Sequence, residues 1–378
     1  MLTLVPFSGS GSSRSSQGIE PESSSQELDH VQVVSWIQLG RTRNLRKEFA
    51  SALQGRLAVV NLASQLAFGR QCCVADLRRG RFDLAGATGR ATCPAWRRAP
   101  LDRHQERCRP RPPASGRGRL WDAGAAPARR PQHWWCWRRV VKQLSGQYRL
   151  LIPDLRGFGW SEAPGSGYHP TGFADDAVAL LDALDLAHPD VIGHDWGGFT
   201  GFLLGLNHPE RVDRLLLCNS PGPWTRLNPR VAVGLRRAWY AALVATPILG
   251  AQVVGYPGFI PWFVRLGGQV ALFPEADAAV YADQFRDRAR TAASSRLYRS
   301  YLRLAQPILL GHAFEGQRLQ APTQLLFGAH DFYIPVAVLE EIESHGADLT
   351  LEVVEGCSHW MPEERPDLIA DRARELFS

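Results

Sequence analysis

The chain has 378 residues, 45% of them hydrophobic, enough for a sizeable core and more than one folding unit. No apolar run reaches the roughly 18 residues of a membrane span, and there is no basic region followed by an apolar stretch and a small-residue cleavage site, so a cytoplasmic protein with no membrane partner is expected. The net charge of +6 divides unevenly, with 21 Lys+Arg against 10 Asp+Glu in residues 1–130 and 22 against 27 in the rest, which leaves the folded-looking part without a footprint for a nucleic-acid partner.

From Met1 to about Gln26 the chain is Ser/Gly-rich and reads as disordered. Val31 to Leu39 can form a strand, and Glu48 to Phe68 a helix or strand. Asp83 to Arg130 is dominated by Arg, Pro, Ala and Gly, with no apolar run long enough for a buried strand. Lys47 and Lys142 are the only two of the 43 Lys+Arg residues that are not arginine. This bias suggests a GC-rich gene, and residues from about 70 to 130 read as a frame-shifted stretch; a natural basic disordered segment is the other reading.

Order is expected from Pro131 onward. Gln132 to Leu144 reads as an amphipathic helix, and Tyr148 to Pro153 as a buried strand ending in Asp154. Pro170 to about Leu184 and Gly197 to Asn207 read as helices; Asp190 to Gly193 and Val212 to Cys218 read as strands. This alternation implies an α/β fold, a mostly parallel sheet flanked by helices. Residues 222–307 break it with helical, aromatic-rich, proline-punctuated sequence, read as a cap over the edge where open sheets bind ligands. Strands at Thr323 to Phe327 and Leu349 to Val354, with helices at Val336 to Ser344 and Pro366 to Phe377, resume the pattern. The expected division is an irregular segment 1–130, a core in two parts, 131–221 and 308–378, and the cap 222–307.

The strongest local signal is Gly193-His194-Asp195-Trp196-Gly197-Gly198, between a strand and a helix. Glycines there allow a tight turn that exposes one side chain at the top of the sheet, a nucleophile elbow carrying Asp195. A carboxylate needs no base to activate it and can displace a leaving group from carbon, forming an ester. Two further strands end in Asp331 and His359. The order nucleophile, acid, histidine is that of the α/β-hydrolase fold, with Asp331 fixing the tautomer of His359, which activates the hydrolytic water. The seven cysteines include no pair at zinc-ligand or redox spacing, so no metal and no disulfide framework is expected. Cys357 reads as a small buried hydrophobe, and His194 and His330 as packing or hydrogen-bonding residues. His133, Trp134, Trp135 and Trp137 fit either a pocket entrance or simple helix burial.

On these motifs, residues 131–378 resemble the epoxide hydrolase and haloalkane dehalogenase branch of the α/β-hydrolase family. The resemblance implies no metal and no cofactor, with Asp195 as nucleophile, His359 as base and Asp331 as orienting acid. It also implies two cap tyrosines that protonate an opening epoxide, at the positions of Tyr240 and Tyr298, with Tyr301 close to the latter. The backbone N–H of Trp196 is the implied first oxyanion donor, and its side chain a pocket wall. The substrate would be a small hydrophobic molecule and the protein a monomer or homodimer. One departure stands out. Where the family carries a His-Gly-X-Pro turn after a central strand, this chain has Ala128-Arg129-Arg130-Pro131. Only the proline remains, so the backbone of Arg130 is left as second oxyanion donor without the turn that aims it. A lost donor costs about 10²–10³ in rate, and a lost central strand would leave its neighbours unpaired, so poor folding or low activity is expected. The sequence leaves open a haloalkane dehalogenase and a catalytically inactive, hydrolase-derived binding protein.

Overall fold

The structure is a computed structural model that describes residues 2–4, 31–32, 131–268 and 275–378. Strands β1 (Leu2–Leu4), β2 (Val31–Gln32), β3 (Leu150–Leu151), β4 (Asp190–His194), β5 (Leu215–Cys218), β6 (Thr323–Gly328) and β7 (Leu349–Val354) form one sheet in the order β2-β3-β1-β4-β5-β6-β7. β4 and β5 are buried at every residue, as continuous apolar runs are when helices cover both faces of a parallel sheet. The covering helices of the core are α1 (Arg138–Leu144), α2 (Pro170–Ala183) and α3 (Trp196–Asn207). α2 starts where its sequence says it should: Pro170 occupies the first turn, and the His169 side chain caps it by accepting from the Thr171 N–H.

Six helices follow β5: α4 (Pro229–Leu235), α5 (Trp239–Ala245), α6 (Leu249–Gly255), α7 (Phe259–Leu266), α8 (Glu275–Asp283) and α9 (Arg288–Leu309). α9 is the backbone of this excursion, capped by the Asp287 carboxylate on the Ala289 N–H and packed against α5 and α6. The chain then returns through β6 and β7 and ends in α10 (Met361–Glu364) and α11 (Pro366–Leu376). One apolar cluster runs through both layers and the excursion, from Val140 and Phe173 through Ile192, Phe202 and Leu217 to Leu325, Tyr298 and Ile369.

Several expectations are corrected. Leu2–Leu4, read as part of a disordered stretch, is a strand, and it lies antiparallel between β3 and β4 in a sheet otherwise parallel. It pairs Leu2 with Ile192, Thr3 with Val191 and Leu4 with Asp190, so the backbone of β4 is not left unpaired on that side. The expected strand Tyr148 to Pro153 contracts to Leu150–Leu151. The helix expected over Val336 to Ser344 is two 3-10 turns, Val336–Leu339 and Ile342–His345, split where Glu341 adopts φ 60°. Gln132 to Leu144 begins as a 3-10 turn over Trp134–Trp137 before α1. Most of Val31 to Leu39, all of Glu48 to Phe68 and the arginine-rich stretch to residue 130 lie outside the described residues.

Candidate active site

The bend between β4 and α3 is built by its glycines. A Cβ on Gly193 would stand 2.6 Å from the Gly197 carbonyl oxygen, and one on Gly198 would stand 2.5 Å from the Ser220 Cβ. Only glycine lets the strand and helix approach this closely. Asp195, between them, is held at φ 51° and ψ −111°, a backbone conformation disfavoured for any residue with a Cβ. Its N–H donates to the Cys218 carbonyl at 3.0 Å, which fixes the bend to β5. As the first residue of α3, Trp196 presents an N–H that has no acceptor within the helix.

His359 and Asp331 are brought to this bend from the C-terminal strands. His359 Nε2 lies 3.9 Å from Asp195 Oδ1, and its Nδ1 lies 2.6 Å from Asp331 Oδ2. Asp331 also accepts from the Tyr333 N–H at 2.8 Å, the Ile334 N–H at 2.9 Å and the Asn219 side-chain amide at 2.9 Å. Burial alone would push this carboxyl up, but the His359 ring, the Ile334 N–H and the Asn219 amide outweigh it and hold Asp331 below the usual carboxylate range. An ionised Asp331 accepting at one oxygen requires Nδ1 of His359 to carry the proton, which leaves Nε2 directed at Asp195 as the basic nitrogen.

A cavity of about 380 Å³ opens beside the bend. Its walls include Asp195, Trp196, Tyr240, Tyr298, Tyr301 and Tyr333, with aliphatic side chains such as Leu235, Ile308 and Val338 completing them. Tyr240 and Tyr298 are buried and meet edge to face, 6.1 Å between ring centroids. Tyr298 in turn packs on Trp196 at 5.8 Å, and Tyr301 on the same indole at 4.9 Å. The structure thus brings Asp195, Trp196, Tyr240, Tyr298, His359 and Asp331 together. Arg130 lies outside the described residues.

Two residues that sequence reasoning passed over also belong here. Asn219, at φ 42° directly after β5, donates to both Asp331 and the Ser358 carbonyl, tying the acid loop to the histidine loop. Tyr333 lines the cavity, packs its ring 5.1 Å from His359 and donates from its hydroxyl to the Phe263 carbonyl on α7. A polar residue ending a buried strand was the available signal for Asn219. Nothing local marks Tyr333.

The neighbouring residues have structural places. His194 donates from Nε2 to the His359 carbonyl at 2.8 Å, and Cys357 is fully buried. His133, Trp134, Trp135 and Trp137 do not line this cavity; Trp134 donates its backbone N–H to Asp154, and His133 packs on Tyr281 and Trp160. Among the described residues no cluster of His, Cys, Asp or Glu is arranged to hold a metal ion.

Comparison with known proteins places the fold in a family. The family model described as the alpha/beta hydrolase fold matches residues 130–366, more than half of the chain. The soluble epoxide hydrolase of Corynebacterium sp. (strain C12) is 27% identical over 267 residues, covering 66% of this chain and 87% of that protein. Epoxide hydrolase 3 of Xenopus tropicalis is 24% identical over 259 residues, 65% of this chain and 70% of that protein. Among solved structures, the epoxide hydrolase VrEH1 from Vigna radiata superposes with a TM-score of 0.56 at 25% identity, covering 67% of this chain and 90% of that one. With that match over more than half of its length, the chain belongs to the alpha/beta hydrolase fold family.

Proposed function

We propose that this protein hydrolyses epoxides to vicinal diols through a covalent ester on Asp195. The observation that carries the reading is one carboxylate lining the same cavity as two buried phenols, with an imidazole nitrogen 3.9 Å from it. An Asp195 oxygen attacks a ring carbon and forms the C–O bond of the ester. The ring C–O bond breaks, and its electron pair stays on the epoxide oxygen, which takes a proton from Tyr240 or Tyr298. His359 Nε2 then removes a proton from water, and the hydroxide adds to the Asp195 carboxyl carbon. The Trp196 N–H donates to the tetrahedral oxyanion. Collapse breaks the bond between the carboxyl carbon and the oxygen bound to the substrate; that alkoxide takes the proton of the added hydroxyl, which frees the diol and restores the carboxylate, while the imidazolium proton returns to the phenolate.

Similarity to proteins named epoxide hydrolases supports the same substrate class. The apolar walls fit a small hydrophobic molecule, and the site chemistry uses no metal or cofactor. A second reading, haloalkane dehalogenation, is favoured by the Trp196 indole N–H, which is buried beside Asp195 and makes no hydrogen bond among the described residues. The two separate cleanly in Tyr298→Phe. Epoxide opening needs the phenolic proton and should fall by about 10²-fold in kcat, whereas halide release needs none and should persist. A panel of epoxides and haloalkanes on both forms of the protein decides, and turnover of neither class would leave the epoxide reading without support.

A further inference from the structure

A second feature lies on the helical excursion. Residues 221–268 contain five arginines and not one Asp, Glu or Lys. Arg230, Arg236, Arg237 and Arg265 make no ion pair among the described residues, whereas Arg138, Arg156, Arg214 and Arg372 do. In the same segment large apolar side chains face water: Trp239 is 53% exposed, Tyr256 67% and Trp262 44%. They are contiguous. The Trp239 and Trp262 rings are 6.5 Å apart, Phe259 is 5.8 Å from Trp262, and Val253, Tyr256, Phe259 and Trp262 line one shallow apolar groove.

We propose that this face, carried by α5, α6 and α7, docks on an anionic lipid surface. Tryptophan and tyrosine favour the boundary between acyl chains and headgroups, and arginine reaches from an apolar face to lipid phosphate. Arg236 stands three residues before Trp239 and Arg265 three after Trp262, so each indole has a cation one helical turn away. A second copy of the chain fits less well, since pairing the face with itself would bring unneutralised arginines together. Among the described residues no single helix is long and apolar enough to cross a bilayer, and the run Pro229–Ala245 meets α6 at 105°. That geometry lays the segment along an interface. Trp239 and Arg236 also line the cavity that holds Asp195, so the docked face contains the cavity's rim. Apolar molecules dissolved in the bilayer would then reach the cavity without crossing water, and docking itself stands whether or not the cavity opens epoxides.

The test is sedimentation of the full chain with sucrose-loaded vesicles of phosphatidylcholine, alone or with phosphatidylglycerol. Each arginine near an anionic surface is worth about fivefold in partitioning, so at least tenfold tighter binding to the anionic vesicles is expected. The preference should weaken as ionic strength rises from about 0.01 M to about 0.15 M. Tyr256→Ser/Trp262→Ser/Arg265→Glu, which leaves the cavity walls intact, should lower binding at least tenfold with its melting temperature unchanged. Equal binding to both vesicles by the native chain would overturn the proposal without recourse to any variant. So would a folded triple variant that binds as tightly as the native chain, or a native dimer that the triple variant converts to monomer.

Discussion

Asp195 occupies a backbone conformation that it would not choose in isolation, and two neighbours remove the alternatives. A Cβ at position 193 meets backbone, not a side chain that can rotate away, so the bend cannot relax locally. Gly193→Ala should therefore cost about 1–3 kcal/mol by urea unfolding. It should also lower kcat by about 10²-fold, because a carboxylate displaced by an ångström no longer meets its substrate in line. Asp331 invites a different experiment. Asp331→Asn keeps the shape but presents an amide to Nδ1 of His359, which favours the wrong tautomer, and kcat should drop by about 10⁴-fold. The native carboxyl is held below its ordinary value of 3.8, so its contribution to stability is fully present above that value and is lost as pH falls through the lower, folded-state value. The stability gap between the native chain and Asp331→Asn should accordingly be widest near neutral pH and close in strong acid. A gap independent of pH would contradict an ionised acid at this position.

At the scale of elements, the least expected contribution is made by three residues. β1 inserts Leu2–Leu4 between β3 and β4, next to the strand that delivers Asp195. Deleting residues 1–4 would strip β4 of its partner on that side, and with net values of about 1 kcal/mol per hydrogen bond the loss should be about 2–4 kcal/mol. Hydrogen exchange offers a direct reading: amides of Asp190–His194 should exchange faster in the truncated chain, and unchanged protection would show that β1 does not bear on β4. The sequence disclosed the other strands far better than this one. Thr323–Gly328 holds the apolar run Leu325-Leu326-Phe327, Leu349–Val354 alternates apolar and polar residues from Leu349 to Val353, and both patterns declare themselves locally. Leu2–Leu4 is too short to do so, and its place is set by an empty position in the sheet 190 residues away in the chain. Val336 to Ser344 misled for the opposite reason, since helical periodicity was present but Glu341 at positive φ breaks the run into two turns. Asp195, Asp331 and His359 stood out because each follows a strand. Asn219 and Tyr333 did not, because what they do depends on partners that only folding supplies.

The whole molecule is joined by a buried ionic cluster remote from Asp195. Arg138 on α1 binds Glu363 of α10 at 2.5 Å and Asp277 of α8 at 2.7 Å, and the Tyr281 hydroxyl on α8 donates to the same Glu363. Burial pushes the Glu363 carboxyl up, and Arg138 and Tyr281 pull it back without fully offsetting the shift. Three regions distant in sequence thus share one cluster: the first core helix, the helical excursion and the C-terminus. Arg138→Ala would leave Glu363 buried with its main countercharge gone, at a cost of about 3–5 kcal/mol. Glu363→Gln/Arg138→Met, which removes both charges, should recover most of that loss in urea unfolding. If the double variant is no more stable than the single, the cluster does not act through charge. The alpha/beta hydrolase scaffold so assembled holds Asp195 beside the cavity, and the direct test of the proposed nucleophile is to stop the proposed reaction after its first step. On the proposed mechanism His359→Gln deprives the hydrolytic water of its base, so mass spectrometry after mixing with an epoxide should find the substrate's full mass added to the peptide bearing Asp195. An unmodified peptide under conditions where the native chain turns the same epoxide over would contradict a carboxylate nucleophile.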